Sequence, residues 1–230
     1  MKLTDLRGIL QYIPQFREKT FILAIDGAIV TDENFATLLL DVAVLRSLNI
    51  RVVLVHGASA QIKALAEDQK VQASNLDGSG VTDAATLNLA LTAANRLTHE
   101  ILEGLSANDL RATSTNAIIA HPMGIIQGVD HLFTGKVERV DVELLQSLLA
   151  QGVVPVIPPL GFDGLLGQNL DRANVFFLRG PDLLIFVRVD QRADAVVGKN
   201  LREQALVHAA VDDVDARHAG FARGGGVLRL

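Results

Sequence analysis

The sequence predicts an α/β fold in which a mostly parallel, open sheet is sandwiched between helices. Three observations predict it. Short, almost wholly apolar runs at Phe21–Ile25, Arg51–Val55 and Val153–Ile157 are what a sheet covered on both faces requires. Helical stretches with an apolar stripe lie between them, and small-residue turns pass strand to helix.

In chain order, Leu6, Ile9, Leu10 and Ile13 recur at helical spacing and predict a short amphipathic helix that ends at Pro14 or soon after. The strand Phe21–Ile25 leads through Asp26-Gly27 to a helical run from about Asn34 to Leu48, then to the second strand at Arg51. A helix from about Gln61 to Glu67 follows the turn that starts at His56. Thr82 or Asp83 caps the longest helix, on which Leu87, Leu91, Ala94, Leu97, Ile101 and Leu105 share one face. Between Ala107 and Gly135, the runs Ala117–Ala120 and Gly124–Ile126, broken by His121-Pro122 and Gly128, predict a small hairpin region. Asp141 caps a helix through Gln151, and Gly152 ends it before the strand Val153–Ile157, where Pro155 is awkward for a central position. A loop bearing Gly161, Gly164 and Gly167 comes next, and a strand at Leu183–Val187 follows. The tail beyond Asp190 reads as helical and charged, with a last strand starting at Gly224.

Composition narrows the function. Of the 230 residues 49% are hydrophobic and 20% charged, which excludes a disordered chain. A net charge of -5 with no long basic run argues against a sequence-independent hold on nucleic acid. Without cysteine there are no disulfides, thiolate nucleophiles or thiolate metal sites. His121, His131, His208 and His218 are scattered, without the i, i+4 spacing of a zinc helix, so no metal is expected, and Ser79 and Ser106 lack a nucleophile-elbow pattern. The opening Met1–Asp5 starts no secretory signal and no run of about 18 apolar residues exists. The expectation is a soluble, cytoplasmic protein with no membrane partner.

The sharpest local signal is Val53–Ile62, an apolar strand delivered through His56-Gly57-Ala58-Ser59-Ala60 to a helix N-terminus. Backbone N–H groups and the helix dipole there can face an anion. The same small residues equally permit close strand-to-helix packing, and His56 reads as either structural or functional.

This segment, with Phe21–Gly27, Gly80-Val81-Thr82-Asp83 and Thr134–Asp141, resembles the amino-acid-kinase family, in particular the acetylglutamate kinase branch and the kinase-like domain of bacterial N-acetylglutamate synthases. The resemblance runs from about Phe16 to Leu170. It implies the amino-acid-kinase fold, with an amino-acid lobe at about 16–160 and a shortened C-terminal lobe at about 161–230, the whole of 1–230 being one domain. Departures from the family pattern bear on activity. Where the kinases carry a Lys on the first strand followed by two glycines, this chain reads Ala24-Ile25-Asp26-Gly27, and Gly80 stands where an Arg precedes Val-Thr-Asp. Ala58-Ser59-Ala60 replaces further glycines and a proline. Gly167–Leu170 resembles the segment that supplies an Asn to the ligand. The stretch Asn174–Leu183 is too short for the family's next helix, and Gly225–Arg229 looks like its last strand, so an arginine-sensing segment and an acetyltransferase module would lie beyond Leu230.

The candidate ligand residues are therefore Gly27, His56, Gly57, Ala58, Ser59, Gly80 and Asn169, with no catalytic residue assigned. The reading is a domain of arginine biosynthesis that does not catalyse by itself and acts as a ligand-binding, regulatory or oligomerising unit. Its expected partners are a small amino-acid-type ligand, a separate acetyltransferase subunit and further copies of itself. Two alternatives stay open: an active kinase that uses Mg-ATP on a small carboxylate, and a degenerate relic.

Overall fold

The computed structural model describes residues 14, 16–76, 80–163, 175–178, 196–199 and 206–209. The first βα unit is β1 (Thr20–Ile25) and α1 (Phe35–Ser47), joined by a short 3-10 turn, Gly27–Thr31; the next is β2 (Arg51–His56) and α2 (Ser59–Gln69). The long α3 (Ala84–Ser106) leads to β3 (Ala112–Ser114), β4 (Ile118–Pro122), β5 (Ile125–Ile126), β6 (Val129–Asp130) and β7 (Thr134–Val140). After α4 (Val142–Ala150) come β8 (Val154–Ile157), β9 (Leu160–Asp163), β10 (Val175–Leu178), β11 (Val196–Lys199) and β12 (Leu206–Ala209).

A four-stranded sheet of order β1-β2-β8-β3 is parallel throughout. β2 lies at its centre because five of its six residues are apolar or buried and only Arg51 is exposed. Alternation sends Val52 and Leu54 to one face, where α1, α2 and α3 supply Leu39, Val42, Ile62 and Leu97. Val53 and Val55 go to the other, against Leu145 and Leu149 of α4 and Ile118 of β4. The sandwich expected from the sequence is thus present. In α3, Leu97, Ile101 and Leu105 are fully buried, and each such side chain contributes roughly 2 kcal/mol of burial.

Pro155 sits in β8 without penalty. The Val154 N–H bonds the Arg111 carbonyl on the β3 side, so alternation turns the missing N–H of Pro155 toward β2. Pairing with β2 begins only at Val156. Beside the sheet, β10, β7, β4 and β9 close on one another as a small barrel, and β5 and β6 form a hairpin over Gln127-Gly128, both at positive φ.

Several expectations need correction. The segment with Gly161 is not a loop: it is β9, paired with β4 and β10. The tail beyond Asp190, read as helical, contains the antiparallel pair β11–β12, rich in Val and Leu. β3 was not expected, because Ala-Thr-Ser carries no strand signal, and β10 lies where only a missing helix was foreseen. The first helix at Leu6–Ile13, the strand at Leu183–Val187 and the terminal strand fall outside the described residues. Among the described residues no helix is long and apolar enough to cross a membrane.

Candidate functional site

The register of β1 and β2 pairs Ile25 with His56, and the Gly57 N–H donates to the Ile25 carbonyl at 3.0 Å. The two strands therefore end side by side and place Asp26-Gly27 against Gly57-Ala58-Ser59. Asp26 does not face an open pocket as a free charge; its carboxylate accepts the Ala28 N–H at 3.0 Å and caps the 3-10 turn.

The glycines differ. A Cβ on Gly27 would lie 2.5 Å from Gln61 Oε1, 2.6 Å from the Gly57 carbonyl oxygen and 2.8 Å from Leu97 Cδ2, so close packing dictates glycine there. Gln61 Nε2 seals the contact by donating to the Gly27 carbonyl at 2.7 Å. At Gly57 a Cβ would meet nothing within 4 Å, which leaves space beside the turn. The close-packing reading of the small residues therefore holds at Gly27, and packing does not explain Gly57.

His56 is fully buried. Its Nδ1 lies 3.0 Å from the Gly57 carbonyl and its Nε2 2.9 Å from Thr98 Oγ1, which is also 2.8 Å from the Ala94 carbonyl. A carbonyl can only accept, so Nδ1 carries the proton and donates to Gly57. In the neutral ring Nε2 is an acceptor, so the single Thr98 hydroxyl proton is shared between Nε2 and the Ala94 carbonyl. Burial pushes the His56 pKa down to about 4, against the opposing pull of the Gly57 carbonyl. With its carbonyl held by His56, the peptide that follows Gly57 turns the Ala58 N–H the other way, since the two groups of a trans peptide are antiparallel. α2 starts at Ser59 with Ala58 as its N-cap and no side-chain cap, so its first-turn N–H groups have no side-chain acceptor.

Gly80 belongs to a second network. Thr82 and Thr134 are fully buried and Asn75 nearly so. Thr134 Oγ1 donates to the Gly80 carbonyl at 2.8 Å, Thr82 Oγ1 then donates to Thr134 Oγ1 at 2.8 Å, and Asn75 Nδ2 donates to Thr82 Oγ1 at 3.0 Å. Every hydroxyl proton has an acceptor, which is what a buried polar network needs. Asp83 caps α3 through the Thr86 N–H at 2.7 Å, and this bond, the largest of its influences, holds its carboxyl below the usual value. Packing does not demand glycine at position 80, since the nearest atoms to a Cβ there, Asn75 Cγ at 3.7 Å and Asn75 Oδ1 and the Ser74 carbonyl oxygen at 3.9 Å, stand at ordinary contact distance.

The structure thus brings Gly27, His56, Gly57, Ala58 and Ser59 together, ties Gly80 to β7 and the hairpin, and leaves Asn169 outside the described residues. Sequence reasoning missed Gln61, Asn75 and Thr98. Thr86 and Thr98 on the apolar face of α3 were the available signal, because a buried hydroxyl needs a partner.

A sequence profile described as the amino acid kinase family matches residues 19–177. The chain belongs to the amino acid kinase family. An amino-acid acetyltransferase of Vibrio cholerae is 31% identical over 196 residues, which cover 81% of this chain and 42% of that protein. N-acetylglutamate synthase from Neisseria gonorrhoeae, solved with coenzyme A and N-acetylglutamate, superposes with a TM-score of 0.74 at 27% identity, over 86% of this chain and 46% of that one. Its complex with coenzyme A and L-arginine matches with the same TM-score at 26% identity, over 86% and 48%. The chain spans less than half the length of these relatives and is related to the kinase-like domain of N-acetylglutamate synthases. As a member of this family it lacks a lysine or arginine on both turns of the site, 24–31 and 56–62.

Proposed function

We propose that this chain is a ligand-binding, non-phosphorylating amino-acid-kinase domain of arginine biosynthesis. One observation carries the reading. The ends of β1 and β2, where the family resemblance places the transferred phosphate, offer Ala24, the capping carboxylate of Asp26 and a glycine packed against Gln61, the Gly57 carbonyl and Leu97, with no lysine or arginine at 24–31 or 56–62. Phosphoryl transfer needs positioned positive charge on the developing transition state. The open space at Gly57 and the Ala58 N–H, directed away from His56, are the features suited to a small carboxylate. The domain, taken as one unit over 1–230, works in the cytoplasm in an oligomer with an acetyltransferase supplied by another module.

The test is thermal stability of the purified protein against L-arginine, N-acetylglutamate, glutamate, acetyl-coenzyme A and Mg-ATP, since a ligand that binds the native state alone raises Tm. A rise with arginine or an acetylated amino acid, and none with Mg-ATP, is the expected result. A rise with Mg-ATP accompanied by turnover overturns the proposal.

A further inference from the structure

In a parallel sheet all strands start at the same edge, and here that edge is basic. Arg51 is the first residue of β2, Arg111 immediately precedes β3, and Arg46 sits in the last turn of α1, whose chain turns through Asn49 into β2. Gly152, just before β8, lies between them, because β8 runs between β2 and β3. Arg46 Nη2 and Arg111 Nη2 lie 3.2 Å and 3.5 Å from the point where a Cβ of residue 152 would start.

Part of this arrangement is ordinary capping. Arg46 Nη1 donates to the Ile50 carbonyl at 3.1 Å, and Arg111 Nη2 donates to the Gln151 carbonyl at the end of α4, and the C-terminal end of a helix favours a cation. Capping accounts for Arg111, and a bond to the turn into β2 accounts for Arg46. Neither accounts for Arg51, whose charge adds to burial in holding the Arg46 guanidinium below its ordinary value. Nor do they account for the convergence of two guanidiniums on one small residue. Glu18 and Asp109 lie on turns at the same edge, at positive φ, and among the described residues neither forms an ion pair with these arginines. Each guanidinium has five N–H donors, and the bonds described use few of them.

We propose that Arg46, Arg51 and Arg111 form a binding site for a small, multiply charged phosphate-type oxyanion at the edge of the sheet opposite the Gly57 turn. A carboxylate presents two oxygens to one planar fork, whereas a phosphate group presents oxygens in several directions and suits forks that arrive from three segments of chain. The site takes its counter-charge from the ligand, and Gly152, which its φ of +74° at the end of α4 already requires, leaves no side chain between two of the forks.

Pyrophosphate is the probe, titrated calorimetrically into the whole chain at low salt with sodium chloride of equal ionic strength as the control, while the arginine Nε–Hε resonances and backbone amides are followed by NMR. The expected result is saturable binding that moves the Nε–Hε signals of the three arginines and the Gly152 amide. Arg51→Gln, an exposed change that leaves both carbonyl bonds in place, weakens binding roughly tenfold or more, as expected for one lost charge-assisted contact. Arg111→Gln weakens it at least as much. Binding no stronger than that of chloride, an undiminished affinity in Arg51→Gln, or shifts confined to the Gly57 and Ala58 amides overturns the proposal.

Discussion

At the C-terminal ends of β1 and β2 the chain places alanine, glycine, a capping aspartate and a neutral, fully buried histidine, whereas at the N-terminal ends of β2 and β3 it places arginines that, among the described residues, have no paired carboxylate. One sheet therefore has an end without a cation, closely packed at Gly27, and a cationic end. The difference teaches that the two ends of one sheet differ in electrostatics: the turns 24–31 and 56–62 carry no lysine or arginine, so their own side chains bring no positive charge to an anion. Positive charge lies at the other edge, held by helix ends and strand starts.

The largest expected effect tests the packing of the cation-free end. Gly27→Val should cost 3 kcal/mol or more in urea unfolding, because the added atoms meet a backbone oxygen that cannot move. Gly80→Ala should change stability by well under about 1 kcal/mol, since its neighbour stands at ordinary contact distance. Equal costs at the two glycines would break the contrast between a packed turn and an open one.

Next in size is the histidine. Its folded pKa, about 4, lies below the ordinary 6.5, so the neutral form is favoured on folding. The stability it contributes is complete above pH 6.5 and is lost as pH falls from 6.5 toward 4. The loss should approach about 3 kcal/mol, read as the difference between the pH profiles of the wild type and His56→Asn, in which the extra slope disappears. A wild-type profile parallel to that of His56→Asn would mean that the ring is not buried as described.

Asp83→Ala removes the cap of α3 and should lower stability by about 1 kcal/mol at neutral pH; its effect shrinks in acid, because a carboxyl held below its usual value loses its contribution as it protonates. Arg51→Gln is the smallest. Without added anion it should raise stability by a few tenths of a kcal/mol in low salt, as one of two repelling guanidiniums goes, and the gain should fade in high salt. A loss of stability would show that Arg51 is compensated after all.

Much of the architecture was legible because its signals are local. The apolar runs of β1 and β2, the cap at Asp83 and the face of α3 each declare themselves within one segment. β3 did not, since three small residues become a strand only when β8 offers a free edge. β11 and β12 were misread because charged residues between short Val- and Leu-bearing runs imitate an amphipathic helix. At the candidate site, the turn His56–Ser59 could be read directly, but not what each glycine is for: that depends on Gln61 and Leu97, which only the fold brings to Gly27. The arginines were invisible for the same reason. Positions 46, 51 and 111 share no motif, and the order of strands is what makes them neighbours.

The β5–β6 hairpin leaves and rejoins the barrel at Met123 and Thr134, whose N–H and carbonyl are bonded at 2.9 Å. With its two stems already clasped, it behaves as a cassette. Residues can be added or removed at the Gln127-Gly128 tip for little loop-closure entropy, so homologous chains can exchange this piece wholesale, and a reporter peptide could be inserted there without disturbing either end of the sheet.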